Sequence, residues 1–109
     1  MRRACILAAL ASLLLTAPAR ADVLVHYPDR SVACGEDIQL GVWYQEYSGG
    51  PRWARMSIRS ARGYVLWRKS VRATTRWRYW HYTPRCGRTY TVRYVVAGGT
   101  LTAKVRVRS

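Results

Sequence analysis

Short runs in which apolar and polar residues alternate follow one another along the chain, and turn residues separate them. Strict alternation is typical of strands that bury one face, and no stretch keeps the period of a helix. The last run places Leu101, Ala103, Val105 and Val107 on one side without an interruption. The pattern predicts an all-β protein.

Seven such runs predict seven strands. They cover residues 22–27, 37–47, 52–60, 64–71, 75–82, 89–97 and 100–108. A turn is predicted at residues 48–51, which are rich in glycine and proline, and a hairpin turn at the two glycines of residues 98–99. Short strands at this spacing, with one disulfide, predict a seven-stranded antiparallel sandwich of two sheets.

The alternation also predicts which side chains fill the core. They are Ile38, Leu40, Val42 and Tyr44, then Ala54, Met56 and Ile58, and then Tyr90, Val92, Tyr94 and Val96. Because the chain has no Phe, Trp and Tyr must fill part of the interior. Counted in the same way, residues 75–82 turn Trp77 and Tyr79 inward.

The other side chains of residues 75–82 are predicted to point outward and to form an aromatic patch, to which the second strand contributes one residue. Its members are Trp43, Arg76, Arg78, Trp80 and Tyr82. A guanidinium stacked on an indole there would contribute about 0.5–1 kcal/mol and be purely structural. Alternatively, the patch is a stacking platform for a sugar or a base. The structural interpretation is favoured, because isolated exposed aromatic residues are common.

Two segments resemble parts of a fibronectin type III domain. The sequence PRCGRTYTVRYVVAGG (residues 84–99) is similar to the end of such a domain, where a turn precedes Tyr-x-Val and a glycine-rich hairpin. The sequence LGVWY (residues 40–44) is similar to its second strand. The resemblance implies an immunoglobulin-like sandwich in which Tyr90 is the tyrosine-corner residue, with its hydroxyl bonded to the chain upstream. It implies no particular function, because this scaffold hosts many.

The first residues predict an export leader. Arg2 and Arg3 precede a short apolar run, and Ala-Arg-Ala at residues 19–21 is a suitable cleavage site. The run is shorter than the roughly 20 apolar residues that a bilayer-spanning helix needs. We therefore expect residues 1–21 to be a cleaved signal peptide and residues 22–109 to be a single secreted or periplasmic domain without a transmembrane segment.

Two cysteines remain after cleavage, Cys34 and Cys86, and an even pair in an exported chain predicts a disulfide. The alternative is a metal site with His26 and His81, but the chain lacks the close ligand spacing of such sites. In immunoglobulin-like sandwiches the segments that carry these two cysteines lie at the same end. The bridge is thus expected to clip one end rather than to cross the core.

Positive charge dominates the composition. The chain has 19 Lys and Arg against 5 Asp and Glu, and its net charge of +14 becomes +11 when Arg2, Arg3 and Arg20 leave with the leader. Such a charge attracts nucleic acid, anionic lipid head groups and acidic polysaccharides. A GC-rich genome also favours arginine, so the charge alone identifies no ligand.

The third, sixth and seventh predicted strands would lie side by side and gather cations on one outward face. These residues are Arg55, Arg59, Arg93, Lys104, Arg106 and Arg108. The acidic residues fall mostly near the N-terminal edge, so no acidic residue on this face neutralises the six cations. Mutual repulsion is tolerable where the face meets an anionic partner. The alternative is a solvated face whose charges prevent edge-to-edge aggregation.

Enzyme motifs are missing from the sequence: it has no glycine-rich phosphate loop, no H-E-x-x-H and no G-x-S-x-G. We expect no catalytic residues, no cofactor and no metal. The leading hypothesis is a module that binds an anionic polysaccharide, glycolipid phosphate or nucleic acid through the basic side chains. The alternative is a protein-interaction module that uses edge strands and the aromatic patch. A third, weaker hypothesis is direct antimicrobial action.

Overall fold

The computed structural model describes residues 23–45 and 49–109, and the predicted leader lies outside them. These residues form eight strands. The strands are Val23–His26 (β1), Ser31–Val32 (β2), Ile38–Tyr44 (β3), Trp53–Ser60 (β4), Val65–Arg72 (β5), Arg78–Tyr82 (β6), Thr89–Val96 (β7) and Gly99–Val107 (β8). Within the two described ranges, no helix has the length and apolar character needed to cross a membrane.

The strands form two sheets that enclose one core. The small sheet has the order β1-β3-β6, and the large sheet has the order β2-β8-β7-β4-β5. The predicted all-β fold of two sheets with one disulfide is confirmed.

The strand count and the wholly antiparallel arrangement were wrong. The additional strand, β2, pairs in parallel with β8, so that Ser31 lies opposite Arg106 and Val32 opposite Val107. A strand of two residues is too short to show the alternation on which the prediction depends.

Alternate side chains of both sheets fill the core, as predicted for β3, β4, β7 and β8, and Val23 and Val32 join them. Val23, Val32, Ile38, Leu40, Val42, Tyr44, Ala54, Met56, Ile58, Tyr90, Val92, Tyr94, Val96, Val105 and Val107 are all buried. Leu101 is only partly buried and packs against this cluster. The large sheet therefore has one apolar inner face and an outer face of mostly polar residues.

Strand β6 presents the opposite face from the one predicted. Leu40 pairs with Trp80 and Ile38 pairs with Tyr82, and directly opposed side chains of a sheet share a face. Trp80 and Tyr82 therefore pack against the core. Their placement on the outer face was wrong.

Trp77 and Tyr79, which were expected in the core, are instead 42% and 45% exposed. Gly41, opposite Tyr79 on β3, leaves room on the outer face of the small sheet, and the Tyr79 ring occupies that room. A shift of one residue reverses every side chain of a strand. Both sides of RWRYWHY carry aromatic rings, so the alternation alone does not fix the orientation.

The Cys34–Cys86 disulfide links the segment between β2 and β3 to the segment between β6 and β7, with the two Cα atoms 4.9 Å apart. Nearby, the Tyr90 hydroxyl accepts a hydrogen bond of 2.8 Å from the backbone N–H of Arg85, five residues upstream. The bridge thus clips one end of the domain, as expected, and the upstream bond expected of Tyr90 is present.

Candidate anion-binding face

The outer face of the large sheet carries a field of cations, which we call the basic face. Its members are Arg55, Arg59, Arg68, Arg72, Arg93, Lys104, Arg106 and Arg108. The six residues predicted from the sequence are all among them. Five of the six lie on β4, β7 and β8, which are neighbours in the sheet, and alternate there with residues of the apolar inner face; Arg108 directly follows β8.

Sequence reasoning missed two members, Arg68 and Arg72. They lie on β5, where Arg68 is opposite Ser57 and Arg72 is opposite Trp53. The alternation of β5, in which Trp67 and Val71 pack against the core, would have revealed them. The register shift near Ile58/Arg59 disturbs that alternation at the start of the strand.

The cations are interleaved with uncharged side chains. In the registers of the described strands, each of the seven cations that lie on a strand is opposite Ser, Thr, Val or Trp and never opposite another cation. The eighth, Arg108, follows the end of β8, and its Nη1 donates to the Ser31 hydroxyl over 2.7 Å. The pairs are Arg55 with Ser70 and Val95, Arg59 with Val65 and Thr91, Arg68 with Ser57, Arg72 with Trp53, Arg93 with Ser57 and Thr102, Lys104 with Thr91, and Arg106 with Thr89 and Ser31. Between strands, cations therefore meet only diagonally, at about 7–8 Å. Along β8, Lys104 and Arg106 lie two residues apart on the same face.

This spacing lowers the repulsion that the sequence led us to expect. Directly opposed like charges would destabilise the sheet, whereas diagonal ones are farther apart and better screened by water. It also places a hydroxyl next to most of the guanidinium groups. The face offers alternating charged donors and neutral donors or acceptors.

Four arginines surround Ser57 at the centre of the face. Arg55, Arg59, Arg68 and Arg93 line a shallow depression of about 380 Å³ together with this serine. A diagonal arrangement of planar guanidinium groups suits oxyanions, since each fork can donate two hydrogen bonds to a carboxylate, sulfate or phosphate.

Arg59 is the most enclosed cation of the face. Its Nη1 donates to the carbonyl of Gly63 over 3.5 Å, and its Nε is buried and has no hydrogen-bond partner among the described residues. An unsatisfied donor of this kind is rare in folded proteins.

Carboxylates lie elsewhere in the part of the chain that the structure describes. Asp29, Glu36 and Asp37 all precede β3. Glu36 accepts a hydrogen bond of 2.6 Å from the backbone N–H of Ala33, and Asp37 accepts one of 2.9 Å from the Thr83 hydroxyl. These two acids stabilise loops at the disulfide end instead of neutralising the basic face.

On the opposite side of the domain, three rings form an aromatic stack. Trp43 and Trp77 have centroids 6.1 Å apart, and Trp77 and Tyr79 have centroids 5.8 Å apart, with interplanar angles of 20° and 14°. The Trp43 indole N–H donates to the Thr75 carbonyl over 2.9 Å. The stack is held by contacts within the protein.

The predicted aromatic patch is not one surface, because only Trp43 belongs to the aromatic stack. Arg78 donates to the Arg72 carbonyl over 3.0 Å, and its guanidinium lies 5.1 Å from the Trp80 ring centroid. The hydrogen bond from Arg78 to Arg72 joins β6, at the edge of the small sheet, to β5, at the edge of the large sheet. Arg76 is exposed in the segment before β6.

Residues 23–45 and 49–109 contain no group of three or more His, Cys, Asp or Glu side chains placed to hold a metal ion. Comparisons with protein-family models, with curated proteins and with solved structures found no match. The geometry of the basic face is therefore the basis on which function is argued.

Proposed function

We propose that this protein is an exported binding module for anionic polymers and that the polymer lies across the basic face. The observation that carries the proposal is the interleaved field of seven cations on one sheet face, which Arg108 extends just beyond β8, with no carboxylate among the outward side chains of its paired strands. An uncompensated field of this kind destabilises the free protein slightly and is relieved when an anion binds.

The shape of the face favours an extended ligand. The cations extend over β5, β4, β7 and β8, so the field is several strands wide and follows the strands lengthwise. Its central depression is shallow and open. A polymer with repeated sulfate, phosphate or carboxylate groups would contact many diagonal cations at once, whereas a small ion would contact one or two.

The proposal includes a fold family and a location. The bonded hydroxyl of Tyr90 and the separation of strands into a small and a large sheet support an immunoglobulin or fibronectin III-like sandwich over residues 22–109. The exposed Cys34–Cys86 bridge supports secretion or a periplasmic location, because disulfides persist in oxidising compartments.

A second candidate function is protein binding through the aromatic stack, and the exposure of Trp77 and Tyr79 favours it. Aromatic residues are enriched at protein interfaces, where they contribute much of the affinity. This function would show binding that tolerates salt and that is lost in Trp77→Ala. Polymer binding by the basic face would be unchanged in that variant.

The test is retention on immobilised heparin and on immobilised DNA, with charge reversal at two positions. In Arg93→Glu/Arg106→Glu we expect affinity to fall at least about tenfold, because two favourable contacts become repulsive. The matched control is Arg76→Glu/Arg78→Glu, which changes the net charge equally at exposed positions off the basic face. An equal loss in both variants would show that net charge, and not this face, determines binding.

A further inference from the structure

A cleft at the disulfide end of the domain lies apart from the basic face. It is lined by the turn between β4 and β5, by the segment between β6 and β7, and by the ends of the adjoining strands, and its volume is about 820 Å³. Ligand pockets typically have volumes of roughly 300–1,000 Å³. We call it the arginine–tyrosine cleft after its main lining residues, which are Arg62, Arg85, Arg88, Tyr64, Tyr82 and Tyr90.

Three arginines from two separate connections meet at this cleft. Arg62 comes from the β4–β5 turn, and Arg85 and Arg88 come from the segment before β7. All three are exposed, and no Asp or Glu is among the described residues that line the cleft. The cleft therefore attracts an anion, and guanidinium forks are suited to phosphate, sulfate or carboxylate.

The segment that carries Arg85 and Arg88 is fixed by several independent contacts. The Tyr90 hydroxyl accepts from Arg85 N–H, Gly87 N–H donates to the Val107 carbonyl over 3.0 Å, and the Arg88 carbonyl accepts from Val107 N–H over 2.8 Å. Between them, Cys86 is covalently bound to Cys34. The two arginines thus project from a preorganised backbone, which lowers the entropic cost of binding.

Two tyrosines form an ordered wall of the cleft. The rings of Tyr82 and Tyr90 meet edge to face, with centroids 6.0 Å apart and an interplanar angle of 67°. Burial is the main cause that raises the pKa of Tyr82, and the neighbouring Tyr90 adds to it. Arg85 lowers the pKa in part. Tyr82 therefore keeps its proton at neutral pH and presents a hydroxyl donor.

An apolar surface completes the cleft. Tyr64 is 68% exposed, and Leu66 is also exposed, although both residues are large and apolar. They line the same cleft as the three arginines. Rings stack on tyrosine faces, and a ligand with a flat or puckered ring would cover this surface while its charged group meets the guanidinium forks.

We propose that the arginine–tyrosine cleft binds a single ring-shaped unit that carries one phosphate, sulfate or carboxylate group. The juxtaposition of Arg62, Arg85 and Arg88 with the exposed Tyr64 and Leu66 carries this inference. The site is independent of polymer binding by the basic face, because the two surfaces use different arginines.

The experiment is a calorimetric titration of the whole protein with four probes: glucose 6-phosphate, phenyl phosphate, glucose and inorganic phosphate. We expect the two ring phosphates to bind one to one, at least about tenfold more tightly than inorganic phosphate, and glucose not to bind. Tighter binding of glucose 6-phosphate would indicate a sugar unit, and tighter binding of phenyl phosphate an aromatic unit. Equal affinities for inorganic phosphate and the ring phosphates would overturn the proposal, as would no binding of either ring phosphate at millimolar concentration.

Three variants locate the binding. Arg85→Gln/Arg88→Gln should lose ring-phosphate affinity by about tenfold or more. Tyr64→Ala should weaken the ring phosphates several-fold and leave inorganic phosphate unchanged, because it removes only the stacking surface. The matched control, Arg93→Gln/Arg106→Gln on the basic face, should retain ring-phosphate binding.

The reverse pattern, in which the control loses binding and the cleft variants keep it, would contradict the cleft assignment. Because all these side chains are exposed, an unchanged urea midpoint establishes that each variant is folded. Heparin retention of the same variants separates the two proposals, since a failure of one leaves the other measurable.

Discussion

The hydroxyl of Tyr94, on the large sheet, accepts a hydrogen bond of 3.1 Å from the backbone N–H of Gly41, on the small sheet. The same hydroxyl donates to the His26 carbonyl over 2.7 Å. His26 and Gly41 are opposite each other on β1 and β3. One buried side chain thus crosses the core and fastens the large sheet to two strands of the small sheet.

Gly41 is also contacted from outside. A Cβ atom at this position would lie 2.7 Å from Cδ1 of Tyr79 and 3.1 Å from Cβ of His26. The glycine is needed here for close approach, because the Tyr79 ring rests against its backbone. Gly41 therefore contacts both groups: its N–H bonds to Tyr94 in the core, and its outer side packs against Tyr79 of the aromatic stack.

We predict that Gly41→Ala destabilises the protein by roughly 1–3 kcal/mol, because the new methyl group displaces the Tyr79 ring. Urea unfolding measures the loss. Near-ultraviolet circular dichroism should also change, since the Trp77–Tyr79 stacking depends on the position of this ring.

The control is a double-mutant cycle with Tyr79→Ala. If the clash with the ring is the cause, Gly41→Ala should cost much less in the Tyr79→Ala background than in the wild type. Equal losses in the two backgrounds would show that the ring is not the obstacle.

Tyr94→Phe should lower the free energy of unfolding by about 2 kcal/mol, because it leaves the Gly41 N–H and the His26 carbonyl without their partner in the core. Tyr90→Phe is the matched control. The Tyr90 hydroxyl accepts one hydrogen bond from a backbone N–H at a partly buried position. Tyr90→Phe should therefore lower the free energy of unfolding by about 1 kcal/mol. A larger effect at Tyr90 than at Tyr94 would contradict the role given to the cross-core bond.

Alkaline pH should weaken the Tyr94 contribution. Burial raises the pKa of Tyr94 to about 12 from its ordinary value of 10.0, and the bond from Gly41 lowers it only in part. Between these values the unfolded chain releases the phenol proton and the folded protein retains it, so stability falls as pH rises, by up to about 3 kcal/mol.

The difference in unfolding free energy between wild type and Tyr94→Phe isolates this effect, because the other titrating groups are common to both proteins. We expect the difference to be constant below pH 10 and to shrink as the pH approaches 12. A difference that does not depend on pH would show that Tyr94 titrates normally.

Replacing both cysteines, as in Cys34→Ala/Cys86→Ala, should lower the stability by about 2–4 kcal/mol. The bridge spans a sequence separation of 52 residues and restricts the unfolded chain accordingly. Because the bridge joins loops at one end, the folded variant should still bind heparin, and urea unfolding followed by heparin retention would check both expectations. Loss of retention in a folded variant would count against the location assigned to the polymer.

Much of the fold and of the basic face follows from alternation alone. Residues such as Met56 and Val92 are buried where the pattern predicted, and Arg55 and Arg93 lie on the outer face, as their neighbours require. The pattern is informative there because each strand has one clearly apolar and one clearly polar side.

The pattern failed where both sides of a strand are alike. In β6, aromatic rings occupy both faces. Whether Trp77 or Trp80 faces the core depends on the space beside Gly41 on β3, which the Tyr79 ring fills from outside. The interleaving of Arg93 with Ser57 and Thr102 could not be predicted either, because it depends on the registers of three strands.

The central claim is that the basic face binds polyanions, and the salt dependence of binding to a single-stranded oligonucleotide tests it most directly. For single strands, the slope of log affinity against log salt is about −0.7 for each phosphate contact. In Arg93→Gln/Arg106→Gln, which removes two such contacts, we predict a slope that is shallower than that of the wild type by about 1.4. Arg76→Gln/Arg78→Gln, at exposed positions off the basic face, should keep the wild-type slope. Identical slopes for the wild type and the Arg93/Arg106 variant would contradict the claim.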